Sequence, residues 1–247
     1  MKTVDKALGV LDQFSLENRE LGLSELARMA GLDKAATRRL LVAMAKHGFI
    51  EQSSETKKYR LGHGFLRLAR IREATVPVSQ IAQEAVDWLV GETNETVHAS
   101  LPGAQGMVTI AHRLPNRARI IKIDPAELLL YHATASGLAY LAFASDKTRE
   151  RLLDLKRDRI AGQTITDEAA LRKALEGFRS RGYSQTQDLF EADVASVGMV
   201  FGGGRPDPTG AISIALPKAD MTDLRREELV PLLRQAVRRI EVALTGL

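Results

Sequence analysis

The sequence predicts a mixed α/β chain of the α+β type, with a small helical domain leading a larger one built on a mainly antiparallel sheet. Three observations carry this. Two helix-like stretches abut across Gly31-Leu32-Asp33. After Gly48 the apolar period changes from helical to alternating. Beyond residue 77, strand-like runs cluster early and late with helices between them, a grouping typical of α+β domains.

Taken in order, Val4, Leu8, Leu11 and Phe14 recur at helical spacing and predict a first amphipathic helix over 3–14. Ser24 is a candidate N-cap for a second, short helix, Glu25 suits the positive end of its dipole, and Gly31 can end it in the left-handed region. Asp33 is the candidate cap of a third helix running to Lys46, with Gly48 as its stop. Two helices joined by so tight a turn must cross steeply, which is helix-turn-helix geometry. Leu40, Leu41 and Met44 are expected to face inward. Lys34, Ala35, Thr37, Arg38 and Arg39 occupy the first turns, with Lys34, Thr37 and Arg38 on the outer side, where a recognition helix meets the major groove.

Residues 49–52 and 59–61 read as two short strands around a polar turn. Lys57, Lys58 and Arg60 on this hairpin make it a wing whose cations can meet backbone phosphates. A helix then follows over 65–72, with Arg67, Arg70 and Arg72 on its polar side, until Pro77 interrupts the chain. The expected domains are therefore 1–62, a winged helix-turn-helix; 63–76, a linker helix; and 77–247, a second, larger domain.

In that last part, Ile81, Ala85, Trp88 and Leu89 share a helical face. Strands are predicted at 95–101, 107–113, 118–124, 183–188, 196–201 and 211–216, and helices at 136–143, 148–155, 168–181 and 222–244. The run Gly202-Gly203-Gly204-Arg205 lacks the ending of a P-loop and precedes no helix, so it reads as a hairpin turn.

Composition narrows the function classes. Residues 1–75 hold 14 Lys/Arg against 9 Asp/Glu, whereas the remainder holds 21 against 22. The basic excess thus lies wholly in the first third and points to nucleic acid there. No apolar run approaches the roughly 20 residues of a membrane span. The first residues lack a signal-peptide core, and the absence of cysteine fits a reducing cytoplasm. No cofactor is expected. Five histidines without clustered carboxylates give no metal site, and without a Gly-x-Ser-x-Gly elbow or an orienting acid the chain is not expected to be an enzyme. The rival is a sensor or hydrolase-like protein whose winged helix binds protein.

Several spaced strings, in order, resemble the IclR-type bacterial regulators. They are Lys6-Ala7-Leu8-Gly9-Val10-Leu11-Asp12, Leu23-Ser24-Glu25-Leu26-Ala27, Arg39-Leu40-Leu41, Gly48-Phe49-Ile50 and Tyr59-Arg60-Leu61-Gly62 in the first part. Asn94-Glu95-Thr96-Val97, His132-Ala133-Thr134-Ala135-Ser136-Gly137, Arg181-Gly182-Tyr183 and Ala211-Ile212-Ser213-Ile214-Ala215 continue the match. The resemblance implies a winged helix, a linker helix and, over 77–247, a GAF-like effector-binding and oligomerisation domain that takes small organic acids, in a homodimer or tetramer on double-stranded operator DNA. The chain departs from it at Ala35-Ala36, where relatives often carry Ser-Thr, at Leu138 in place of Lys, and over Ser196-Val197-Gly198-Met199-Val200.

A small carboxylate needs a few converging donors. Ala135, Ser136 and Gly137 open a helix, whose free amides form an anion cradle. The resemblance adds Ser196, Ser213 and Thr186 as pocket residues. His98, Tyr131, His132 and Tyr140 are candidates to shape the space, although buried histidines are more often simply hydrogen-bonded in place.

Overall fold

The computed structural model describes residues 2–202 and 206–246, and the chain divides into two compact units, Met1–Pro77 and Val78–Leu247. In the first, α1 (Lys2–Leu11), α2 (Leu23–Met29) and α3 (Lys34–Lys46) precede β1 (Ile50–Gln52), β2 (Tyr59–Leu61) and α4 (Gly64–Thr75). Val10, Leu26, Leu41, Met44 and Ile50 form its core.

Gly31, at φ +64°, turns the chain between α2 and α3, and Asp33 caps α3 by accepting from the Ala36 amide at 2.7 Å. The strands β1 and β2 pair antiparallel, and Leu21 bridges to Tyr59 at the outer edge of β2.

Two local expectations are corrected. The cap of α2 is Gly22 rather than Ser24, because Glu25 reaches back to accept from the Gly22 amide at 2.8 Å and so draws Leu23 into the first turn. On α1, Val4 and Leu8 are exposed and Val10 is the buried residue, so the stripe that packs inward is the one holding Ala7, Val10, Leu11 and Phe14.

The second unit opens with α5 (Val78–Thr93), then β3 (Thr96–Pro102) and β4 (Met107–Arg113). Three helices follow, α6 (Ala135–Phe143), α7 (Asp146–Leu153) and α8 (Glu168–Arg181). The chain ends with β5 (Ser184–Gln187), β6 (Val194–Phe201), β7 (Gly210–Pro217) and the long α9 (Asp223–Thr245). The five strands lie in the order β4-β3-β7-β6-β5, every pair antiparallel.

Alternation along the strands gives the sheet two chemically different faces. Val97, Ala99, Val197, Met199, Ile212, Ile214 and Leu216 belong to one apolar core with residues of α5 and α9. The intervening positions Thr96, His98, Ser100, Ser184, Thr186, Ser196, Gly198 and Ser213 are small or polar, and all the polar ones are buried. Burying polar groups is costly unless they find partners; on this face Thr96 and Ser184 have them, whereas the His98 ring nitrogens and the Ser100 and Ser213 hydroxyls have none among the described residues.

The strand expected over 118–124 does not form. Among the described residues its backbone finds no partner strand; instead the Ile121 carbonyl accepts from Thr96 Oγ1 at 2.7 Å, and the edge of β4 at Met107 is met by Leu129. The Gly203-Gly204-Arg205 part of the glycine-rich turn lies outside the described residues.

Candidate functional sites

The α3 helix buries Thr37, Leu41 and Met44, an i, i+4, i+7 stripe. Its outer arc is therefore Lys34, Ala35, Arg38 and Arg39, all exposed. Thr37 is corrected: its exposure is 0%, and its hydroxyl donates to the Asp33 carbonyl at 2.9 Å, one turn back on the inner side. It braces the cap and presents nothing to a groove.

On the hairpin, Lys57 and Lys58 are exposed and make no ion pair among the described residues. Arg60 is partly committed, with its guanidinium 3.1 Å from Glu51 and 3.8 Å from Glu20. Cations therefore lie along the outer arc of α3 and at the hairpin tip within one compact unit, the arrangement by which a helix enters a groove while a wing meets phosphates.

In the second unit, a cavity of about 80 Å³ opens over the polar face of the sheet. On the same measure, one water needs roughly 10–15 Å³. His98 of β3, Thr186 of β5, Ser196 of β6 and Ala215 of β7 form its floor, and Ala133, Thr134 and Ala135 bring in the start of α6. The walls come from two irregular segments, Ile121–Asp124 with Glu127 and Leu129, and Leu189–Glu191 with Val194.

The helix start fits an anion. Thr134 is the N-cap of α6, its Oγ1 accepting from the Gly137 amide at 3.1 Å, so the amides of Ala135 and Ser136 are the ones left without an intrahelical acceptor. Ser184 Oγ donates to the Ala135 carbonyl at 2.6 Å and pins this turn to the sheet.

His98 is the most informative floor residue. It is 8% exposed, and neither ring nitrogen has a hydrogen-bond partner among the described residues. Burial, helped by the neighbouring His112, lowers its pKa to about 4, so the ring is neutral near pH 7 and offers one donor and one acceptor. His132, by contrast, is a structural histidine whose Nε2 lies 2.9 Å from the Asp158 carbonyl.

Of the residues singled out from sequence, His98, Ala135, Thr186 and Ser196 line this cavity. Ser136, Gly137, Tyr131 and Ser213 do not, and are corrected. Ser136 is fully buried behind the helix start with Oγ 3.4 Å from Thr134 Oγ1, and a Cβ on Gly137 would sit 2.6 Å from Tyr131 Cα. The Tyr131 hydroxyl donates to the Gly103 carbonyl at 2.9 Å, away from the cavity. Ser213 is wholly buried opposite Gly198 in the β6–β7 register.

Sequence reasoning missed the walls and what holds them. Glu95 is buried and takes Arg117 at 2.6 Å and Arg225 at 3.2 Å, and Arg225 also donates to the Thr93 carbonyl at 2.7 Å. Burial pushes the Glu95 pKa up despite the two guanidinium groups. Through Arg117, and through the Thr96–Ile121 hydrogen bond, this cluster holds the wall segment to the scaffold.

Both units match families of known proteins. The family described as "Bacterial transcriptional regulator IclR C-terminal" matches residues 74–242, and the IclR helix-turn-helix domain matches residues 3–54.

The chain belongs to the IclR family of bacterial transcriptional regulators.

The glycerol operon regulatory protein of Streptomyces coelicolor is 25% identical over 247 residues, covering 97% of this chain and 95% of that one. A solved IclR transcriptional regulator from Silicibacter sp. TM1040 is 35% identical with a TM-score of 0.90, covering 98% of this chain and 96% of that one. The IclR homologue of Microbacterium hydrocarbonoxydans solved with 4-hydroxybenzoate shares the fold, at 23% identity and a TM-score of 0.82, covering 99% of this chain and 100% of that one. The family models and the glycerol operon regulatory protein describe transcriptional regulators with a helix-turn-helix domain rather than enzymes.

Proposed function

We propose that this protein is a ligand-responsive regulator in which a small organic acid enters the cavity of the GAF-like second unit and changes the affinity of the first unit for operator DNA. Lys34, Arg38 and Arg39 contact DNA from α3, with Ala35 close to the groove, and Lys57, Lys58 and Arg60 approach phosphates from the wing. Residues 1–62 are the DNA-binding domain, 63–76 the linker helix that carries the signal, and 77–247 the effector domain. The protein acts in the cytoplasm as a homodimer or tetramer, since pairing brings two recognition helices to successive half-sites.

The observation that carries the effector reading is His98, a buried neutral imidazole with no hydrogen-bond partner among the described residues, beside the open amides of a helix start in a partly open cavity. An unpaired buried polar group costs roughly 1–3 kcal/mol, which a ligand able to bond it restores. The 4-hydroxybenzoate bound by the Microbacterium homologue illustrates the ligand class.

A thermal-shift screen of small organic acids tests this. A ligand at about 100 times its Kd adds roughly 2.7 kcal/mol of stability. The reading requires an acid that stabilises the wild type and has lost that effect in His98→Phe. Stabilisation that survives this substitution unchanged would place the ligand elsewhere.

A further inference from the structure

The charged groups of the cavity are sorted by depth. Its floor carries only neutral donors and acceptors: His98, Thr186, Ser196 and the first turn of α6. Every formal charge among the lining residues sits at the mouth. These are Asp124 and Glu127 on one wall, Glu191 on the other, and Lys122 beside the first pair. Lys122, Glu127 and Glu191 are exposed, Asp124 is half-buried, and none of the four makes an ion pair among the described residues.

Lys122 offsets one of the three carboxylates and leaves the mouth negative. The acids also act on one another, since partial burial and repulsion from Asp124 and Glu191 together push the Glu127 carboxyl upward. They are not spaced for a metal ion: no group of three acidic or histidine side chains among the described residues could hold one.

We propose that the effector is a zwitterion, with a carboxylate against the start of α6 and a protonated amine at the carboxylate-lined mouth. This rests on the reading of the cavity as the effector site and adds the chemistry of the ligand's outer end. A monocarboxylate alone makes no use of the negative charge at the mouth. A dicarboxylate sets its second charge against three acids. An ammonium group meets them as a partner, while His98 bonds the polar middle of the molecule.

The test is a thermal-shift and calorimetric comparison of the full chain with two matched series. One is hexanoate, 6-aminohexanoate and adipate; the other is 4-methylbenzoate, 4-(aminomethyl)benzoate and terephthalate. In at least one series the amino acid should bind about tenfold more tightly than the matched monocarboxylate, as two or three exposed ion pairs allow, with the diacid weakest. Glu127→Gln/Glu191→Gln, which removes exposed unpaired acids and should fold normally, should bring the amino acid and the monocarboxylate within about threefold of each other.

If the monocarboxylate or the diacid binds as tightly as the amino acid, the zwitterion is overturned and the cavity reading stands. It is likewise overturned if the double variant keeps the preference. Failure of every member of both series to bind the wild type overturns the cavity reading as well.

Discussion

Replacing Gly198 with alanine probes how α6 is seated on the sheet. A Cβ at this position on β6 would lie 2.7 Å from Ser213 Oγ, 2.8 Å from the Ala135 carbonyl oxygen and 2.9 Å from its carbon. The serine hydroxyl can rotate; the backbone of Ala135 cannot. To restore an ordinary 3.4 Å contact the helix start must retreat by about 0.6 Å from 2.8 Å, stretching the Ser184 hydrogen bond that holds it. Overpacking of this kind costs about 1–3 kcal/mol. For a unit of this size that lowers Tm by about 2–12 °C. Because Ala135 also lines the cavity, stabilisation by any bound acid should shrink with it. Adding Ser213→Ala should recover only part of the loss, since the close approach to Ala135 remains. Calorimetry of the three proteins, with and without acid, reads both effects. A Gly198→Ala protein that keeps wild-type Tm to within about 1 °C, and its ligand response, would refute close packing at this point.

Other consequences follow from the same geometry. Lys34→Ala/Arg38→Ala should weaken binding to the protein's promoter DNA and flatten its salt dependence, measured by anisotropy across a salt series. The log–log slope should fall by about 0.9 for each phosphate that is no longer neutralised. Thr37→Ala should instead cost the first unit about 1 kcal/mol, from the loss of one buried hydrogen bond, and leave the salt slope unchanged in DNA binding below its Tm. For His98, burial lowers the folded-state pKa from 6.5 to about 4. Between these values the unfolded chain binds the proton and the folded chain does not, so stability rises with pH across the window. It should fall by up to about 3 kcal/mol as pH drops from 6.5 to 4, and His98→Phe should remove that component from the pH profile of urea unfolding.

The elements were largely legible because their signals are local. Caps such as Asp33, left-handed turns such as Gly31 and the alternation of Ala211-Ile212-Ser213-Ile214-Ala215-Leu216 each act within a few residues. That last string also carries the alternation that gives the sheet one apolar and one small, polar face. Thr37 could have been assigned inward, since it stands four and seven residues before Leu41 and Met44. The hydroxyl that suggested a DNA contact obscured this.

The cavity walls were not legible. Ile121 and Ile123 alternate with Lys122 as a strand would, but the segment is shaped by Arg117 on Glu95 and by Thr96 on Ile121, pairings 22 and 25 residues apart. Ser136 and Ser213 have the expected chemistry but not the expected place: Ser136 is buried behind the helix start, and Ser213 is wholly buried in the sheet beside His98, a distinction only packing makes.

At the centre stands the coupling of one ligand-occupied cavity to one DNA-binding surface. The most direct measurement is the affinity of the full chain for its own upstream DNA, at fixed salt, with and without an acid shown to occupy the cavity through His98. A change of about fivefold or more is expected, the usual lower range of allosteric coupling, abolished in His98→Phe while DNA binding without the acid persists. Equal affinity with the cavity filled and empty would contradict the coupling.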